Sequence, residues 1–389
     1  MYSTRPSLIA VMFWLILIGS TTLTMIILNL SPNLSPEIPI PFHRLISIKP
    51  EIINQEHLGV SDRIYVLSLP KRRDRRENME VLRRALNLTW SYQSALAADG
   101  GLVAEILGWV ASVRDDIFLG KERQPPRAFN FSWPLDIDDI ARSTTEIPLL
   151  FPIQDSHHPL RKLVQSTVVP DQPLECTTHN YDFPGNTTRI VPEYLILTPA
   201  KVACWHSHIS VITQIANFSP TDGYGVGIIL EDDIDMEEDI GQQIMALWPH
   251  LPTDWDIIFL GHCWSDESRG AALTPESLPL GAIGRSSGSR LHLSTSPQCT
   301  HAYALSRLGA RRLLLHLQYP PFAYSRAIDQ ALAWLVKSGR LRSVSVVPSL
   351  VIQRRVTRSD ITSGVGSPWR DYLVHGVLDN IGSANLTGL

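Results

Sequence analysis

No Gly-x-Gly-x-x-Gly run and no Gly-Lys-Ser/Thr phosphate loop occurs in the sequence. Their absence argues against a dinucleotide enzyme and a P-loop nucleotidase. Cysteine is scarce: four residues and no Cys-x-x-Cys pair, which disfavours a zinc ribbon or a thioredoxin-like centre. Net charge is only −4 and no long basic stripe exists, so nothing marks a nucleic-acid partner. No internal repeat is present. Hydrophobic content of 44% is ordinary for a globular chain, and 389 residues suffice for one large domain or two smaller ones.

Charge is also missing from Leu8 to Leu30, a nearly uninterrupted apolar stretch long enough to span a bilayer. Arg5 precedes it, and Arg44 and Lys49 follow at a distance, which favours a cytosolic tail at 1–7 and a luminal body. A cleaved signal peptide competes, because Gly19-Ser20-Thr21-Thr22 interrupts the middle. The anchor is favoured, since the apolar run resumes at Leu23 and no small-x-small cleavage site follows. Both readings place the body in the secretory pathway. Sequons at Asn87, Asn130, Asn186, Asn217 and Asn385 agree with that location. Cys176, Cys204, Cys263 and Cys299 would there allow one or two disulfides, with pairing open.

The chemistry concentrates at Gly225-Val226-Gly227-Ile228-Ile229-Leu230-Glu231-Asp232-Asp233-Ile234-Asp235, an apolar run ending in four acids within five positions. The run has the length and β-branching of a buried strand. Unpaired carboxylates cannot be buried at its end, so the acids should emerge at the strand's C-terminal edge, where open α/β sheets bind ligands. Crowded carboxylates raise one another's pKa, and a divalent cation such as Mn²⁺ or Mg²⁺ relieves the conflict. A diphosphate is the natural companion of that cation. The plainer reading is an acidic turn capping a helix from about Met236 to Leu247.

Elsewhere the chain reads as alternating strands and helices. Residues 31–60 include five prolines and form an expected stem. Arg63 to Leu69 is a strand, followed by the basic turn Lys71 to Arg76, which suits phosphate but equally suits a solvated helix start. A strand from Tyr92 to Ala98 ends at Asp99-Gly100. From 101 to 193 repeated prolines break the pattern, and an irregular insertion is expected. Thr198-Pro199 should cap a helix carrying Cys204 and His208 on one face. Trp255 to Gly261, His301 to Leu305 and Leu341 to Val347 read as strands, and Asp266 to Arg290 as a flexible loop. Ser306 should cap one helix, and Asp329 lies at the start of another. The tail 354–389 is weakly patterned. The fold expected is an α/β sandwich with a largely parallel sheet.

Four stretches occur in a specific order: Tyr65-Val-Leu-Ser-Leu-Pro-Lys-Arg-Arg-Asp-Arg-Arg76, Ala203-Cys-Trp-His-Ser-His208, Ile229-Leu-Glu-Asp-Asp233, and Ala302-Tyr-Ala-Leu-Ser306 with Gly309-Ala310. Together with Asp99-Gly100 they resemble glycosyltransferase family 25, the lipooligosaccharide and procollagen galactosyltransferases. Ser68 stands where that family usually has Asn, and Ala203 where it has Gly. The resemblance covers roughly 63 to 353, broken by the insertion. It implies a GT-A-like nucleotide-sugar-binding domain over 61–353. It also implies inverting transfer of a hexose, typically galactose, from a UDP-sugar to a hydroxyl of a glycan, glycoprotein or glycolipid. Glu231 and Asp233 match the metal-holding acids, and Glu231 and Asp232 the UDP side. Arg72, Asp74, Arg75 and Asp99 match the donor-side motifs, and His208 the Ser-His motif. Asp329 is the candidate base and Asp235 the runner-up. The protein would be a single-pass type II membrane protein of the Golgi or endoplasmic reticulum. The alternative is a catalytically silent GT-A-like luminal protein that binds glycans or partners.

Overall fold

The computed structural model describes residues 55–119, 132–151, 173–177, 191–219, 223–275, 288–354 and 372–380. All of these lie within one compact unit, Ile53–Leu389. The strands are β1 (Arg63–Ser68), β2 (Ser91–Ser94), β3 (Val226–Glu231), β4 (Ile234–Met236), β5 (Ile257–Cys263), β6 (Arg290–Leu293), β7 (Gln298–Ser306), β8 (Ser343–Val347) and β9 (Val351–Gln353). The helices are α1 (Arg73–Ala85), α2 (Gly101–Leu119), α3 (Ile137–Arg142), α4 (Pro199–Ala216), α5 (Ile240–Leu247), α6 (Arg307–Leu317) and α7 (Ile328–Lys337).

Seven strands form one sheet in the order β2-β1-β3-β7-β5-β8-β6, and β4 pairs with β9 apart from it. Strand residues alternate between two cores. Ile64, Val66, Ile228, Leu230, Ile258 and Leu260 face a core shared with α1 and α5. Tyr65, Leu67, Ile229, Phe259 and Tyr303 face the other, shared with α2, α4, α6 and α7. Because both faces are covered, the strands read as continuous apolar runs. Gly227 lets α4 approach β3, since a Cβ there would strike the Ile215 side chain at 2.5 Å.

The expected caps are present. The Thr198 side chain accepts from the Lys201 N–H with Pro199 at the first helical position, and Ser306 accepts from the Gly309 N–H. Several expectations need correction. The sheet is mixed rather than largely parallel: β7 runs antiparallel to both β3 and β5, and β6 to β8. A strand buried on both faces looks the same in either direction, so its sequence does not reveal orientation. The expected irregular stretch begins instead with α2, which buries Val103, Ile106, Trp109 and Val110. Leu102 and Leu107 are partly buried against the same core and widen the apolar face, which blurs the helical period. Between the acids and α5 lies β4, so the helix starts at Ile240 rather than Met236.

The boundaries of the body also move. Leu58 and Val60 are buried, so packed structure reaches into the expected stem. At the other end, Val377 and Leu378 join the core. The tail 1–7, the anchor 8–30 and the stem as far as residue 54 lie outside the described residues. Among the described residues no helix is long and apolar enough to cross a membrane.

Candidate functional site

β1 and β3 are parallel neighbours and end at the same edge of the sheet. There a cleft of about 160 Å³ opens, bounded by the ends of both strands, the segment after β2 and the first turns of α4. Its walls include Lys71, Arg75, Ser207, His208 and Gln353, and Glu231, Asp232 and Asp233 stand at one side.

The three acids are held differently. Glu231 Oε1 accepts from Thr300 Oγ1 at 2.7 Å and stands 3.3 Å from His208 Nε2. His208 Nδ1 lies 2.9 Å from the Tyr303 hydroxyl. With Tyr303 donating to Nδ1, the Nε2 proton points at Glu231. Burial pushes the Glu231 pKa up, but the hydrogen bonds from His208 and Thr300 prevail and hold it below the usual range. Arg75 Nη1 reaches Asp232 at 2.9 Å and Asp233 at 3.2 Å. Burial, then the charge of Glu231, raises Asp233 to about 7 despite Arg75. Asp233 also receives the Gln353 amide, with 3.3 Å to each oxygen. This is a cleft with more negative than positive charge at one wall.

Asp329 opens α7 and accepts from the Gln330 N–H at 2.8 Å. The Cys299 N–H also bonds it, and burial, with a smaller contribution from Glu231, raises its pKa. Cys204 lines the cleft, and its thiol is pushed up by burial and then by Glu231, Asp329 and Asp233.

The structure therefore brings together Arg75, His208, Glu231, Asp232 and Asp233, and Asp329 is close enough to feel the charge of Glu231. Arg72 is turned to Asp74, which it grips at 3.1 and 3.0 Å at the exposed start of α1. Asp99 sits in the exposed turn before α2, and its neighbour Ala98 is on the cleft wall. Asp235 departs from the expectation of a runner-up base. It is fully buried, and its carboxylate accepts from the N–H groups of Met236, Leu378 and Asp379. β4 turns Ile234 and Met236 into the core and Asp235 to segment 372–380. It clasps the C-terminal segment rather than facing the cleft.

Thr300 and Gln353 were given no role from the sequence, and Tyr303 and Ser207 were named there only inside motifs. Ser207, adjacent to His208, carries a local signal; its Oγ accepts from the Leu96 N–H and ties the segment after β2 to α4. Thr300 and Gln353 carry none, since only strand pairing brings them to the acids. Of the sequons, Asn87 is exposed at the end of α1, with φ of 51°. The Asn217 amide is committed to Ile147, donating to its carbonyl at 3.0 Å and accepting from its N–H at 3.1 Å. Asn130, Asn186 and Asn385 lie outside the described residues. Cys263 and Cys299 form a disulfide, while Cys176 and Cys204 are free thiols.

Among the described residues no group of three or more His, Cys, Asp or Glu side chains is arranged to hold a metal ion. A Mg²⁺-like ion does not need one, because it is commonly held by one or two carboxylates, substrate phosphates and water. Asp232 and Asp233 offer such a pair of hard oxygen donors, and the raised pKa of Asp233 marks a place where added positive charge is favourable. Arg75 now answers that charge. The residues fit a cation that arrives with a diphosphate, not a closed protein cage. A scan against protein-family models matches none, and a search of curated proteins finds no match.

Proposed function

We propose that the chain is a membrane-anchored GT-A-like glycosyltransferase. It would move a hexose, most simply galactose, from a UDP-sugar to a hydroxyl of a glycan, glycoprotein or glycolipid. The observation that carries this reading is the cleft lined by Glu231, Asp232 and Asp233 together with Lys71 and Arg75. A diphosphate needs both: basic groups for its oxygens, and carboxylates to share a cation with it. The Cys263–Cys299 disulfide and the exposed Asn87 agree with a luminal body.

In this reading Lys71 and Arg75 receive the diphosphate, and Arg75 exchanges its carboxylate partners for phosphate oxygens. Asp232 and Asp233 are then the residues that would hold Mn²⁺ or Mg²⁺. When bound, that ion would act as a Lewis acid on the leaving diphosphate. Thr300 and His208 keep Glu231 ionised and oriented, so the negative wall persists at neutral pH. Asp329 takes the proton of the attacking hydroxyl; its raised pKa makes it a better base than an ordinary carboxylate.

The test is a thermal-shift and donor-hydrolysis panel of UDP- and GDP-sugars, with and without Mn²⁺. Stabilisation that needs metal and nucleotide together, with slow cleavage of one UDP-sugar, is expected. No response to any nucleotide sugar would refute the reading. The pairing of Arg75 with both acids favours one competitor, a silent binding protein. That protein would bind UDP without Mn²⁺ and cleave no donor.

A further inference from the structure

The same sheet edge continues past the acids. Ala302 of β7 pairs with Leu230 on one side and with Gly261 on the other. Glu231 and Cys263 therefore leave the sheet at one end, two strand spacings or roughly 10 Å apart. The residue after Cys263 is Trp264. It is 47% exposed and holds a left-handed φ of 57°, unusual for a bulky side chain. Cys299, the disulfide partner of Cys263, is also left-handed, with φ of 67°. The Cys299 N–H in turn bonds Asp329. The exposed indole, the disulfide and the candidate base thus form one connected unit.

The loop that carries Trp264 is held firmly. Glu267 is 1% exposed, and its carboxylate accepts from Thr295 N–H at 2.7 Å, Thr295 Oγ1 at 2.8 Å, Ser296 N–H at 3.1 Å and Ser345 Oγ at 3.0 Å. Asp266 accepts from Ser268 Oγ and Arg269 Nε. A single exposed aromatic is ordinary. An exposed aromatic on a strained backbone, pinned by a disulfide and a buried carboxylate, is a surface prepared in advance.

We infer that Trp264 is the platform on which a pyranose ring of the acceptor stacks, at the sheet edge that also carries the acids. The C–H face of a pyranose is weakly positive and apolar, which matches the negative face of an indole. The ring is rigid, so little conformational freedom is lost on docking. The assignment of this sugar as an acceptor rests on the transferase reading; the sugar-binding site itself does not.

The experiment is saturation-transfer NMR on the full chain with a panel of methyl pyranosides. It compares the parent with Trp264→Ala and Trp264→Phe, and uses UDP binding by each as the control for folding. The parent should transfer saturation to ring C–H protons of at least one pyranoside. Trp264→Ala should weaken that binding about tenfold, about 1.4 kcal/mol, and Trp264→Phe should retain most of it. Equal binding by Trp264→Ala, or no pyranoside signal with the parent, overturns the proposal. Binding through Trp264 without cleavage of any UDP-sugar would keep the subsite and refute the transferase. Cleavage of a UDP-sugar with pyranoside binding indifferent to Trp264 would do the reverse.

Discussion

Replacing Asp233 by Asn should stabilise the ligand-free protein, and more so as pH rises. Asp233 is crowded by Glu231 and Asp232 in a buried wall, and its pKa is raised from 3.8 to about 7. A raised folded-state pKa means that the folded protein holds this proton more tightly than the unfolded chain. The associated stability is fully present below 3.8 and is lost as pH climbs through 7. Each pH unit inside that window is worth about 1.36 kcal/mol. Asn has the same shape, stays neutral and can still bond Gln353, so the variant escapes the loss. Its advantage over the parent should therefore grow by about 2 kcal/mol between about pH 5.5 and 8, and level off above the window. Urea unfolding of both proteins across that range measures it. An advantage that is absent, or that shrinks with pH, would show that Arg75 fully compensates Asp233 and would remove the electrostatic argument for a cation. The same variant should lose nucleotide-linked Mn²⁺ binding.

Three further outcomes test the architecture. Asp235→Ala strands the N–H groups of Leu378 and Asp379. It should cost about 3 kcal/mol by urea unfolding yet leave UDP affinity intact; loss of UDP affinity in a folded variant would return Asp235 to the site. Arg312→Ala leaves the fully buried Asp256 without its cation, a contact made alongside Asp138 at 2.7 Å. A loss of about 3–5 kcal/mol is expected, and a loss below 1 kcal/mol would mean that the N–H of Arg342 suffices. Gly309→Ala drives a Cβ into the Asp256 carbonyl where α6 meets β5. Its melting temperature should fall sharply, with a loss of about 3 kcal/mol; an unchanged melting curve would mean that α6 can shift.

Local signals carried a good part of this protein. Thr198-Pro199 and Ser306 cap their helices because the first free N–H groups of a helix need a nearby acceptor, and that need is satisfied within three residues. The run ending at Glu231 declared itself a buried strand because its apolar residues pack on both faces. From that alone its acids had to emerge at an edge. Glu231, Asp232, Asp233 and Arg75 were legible as chemistry because each is an ionisable group beside a strand or helix end, whereas His208 lies mid-helix and was legible only through the Ser-His motif.

What the tertiary structure decided is where each charge points and what answers it. Asp233 and Asp235 stand two positions apart in the chain, yet one borders the cleft and the other clasps segment 372–380. The partners that settle this, Gln353 and Leu378, arrive from more than a hundred residues away. Strand direction was equally unreadable, since β7 is apolar on both faces and its orientation comes from its pairing with β3 and β5. The sequence determines which residues must be buried or solvated, because that is a property of each side chain and its near neighbours. Pairing, register and the balance of charge are properties of distant segments brought together, and only the folded chain contains them.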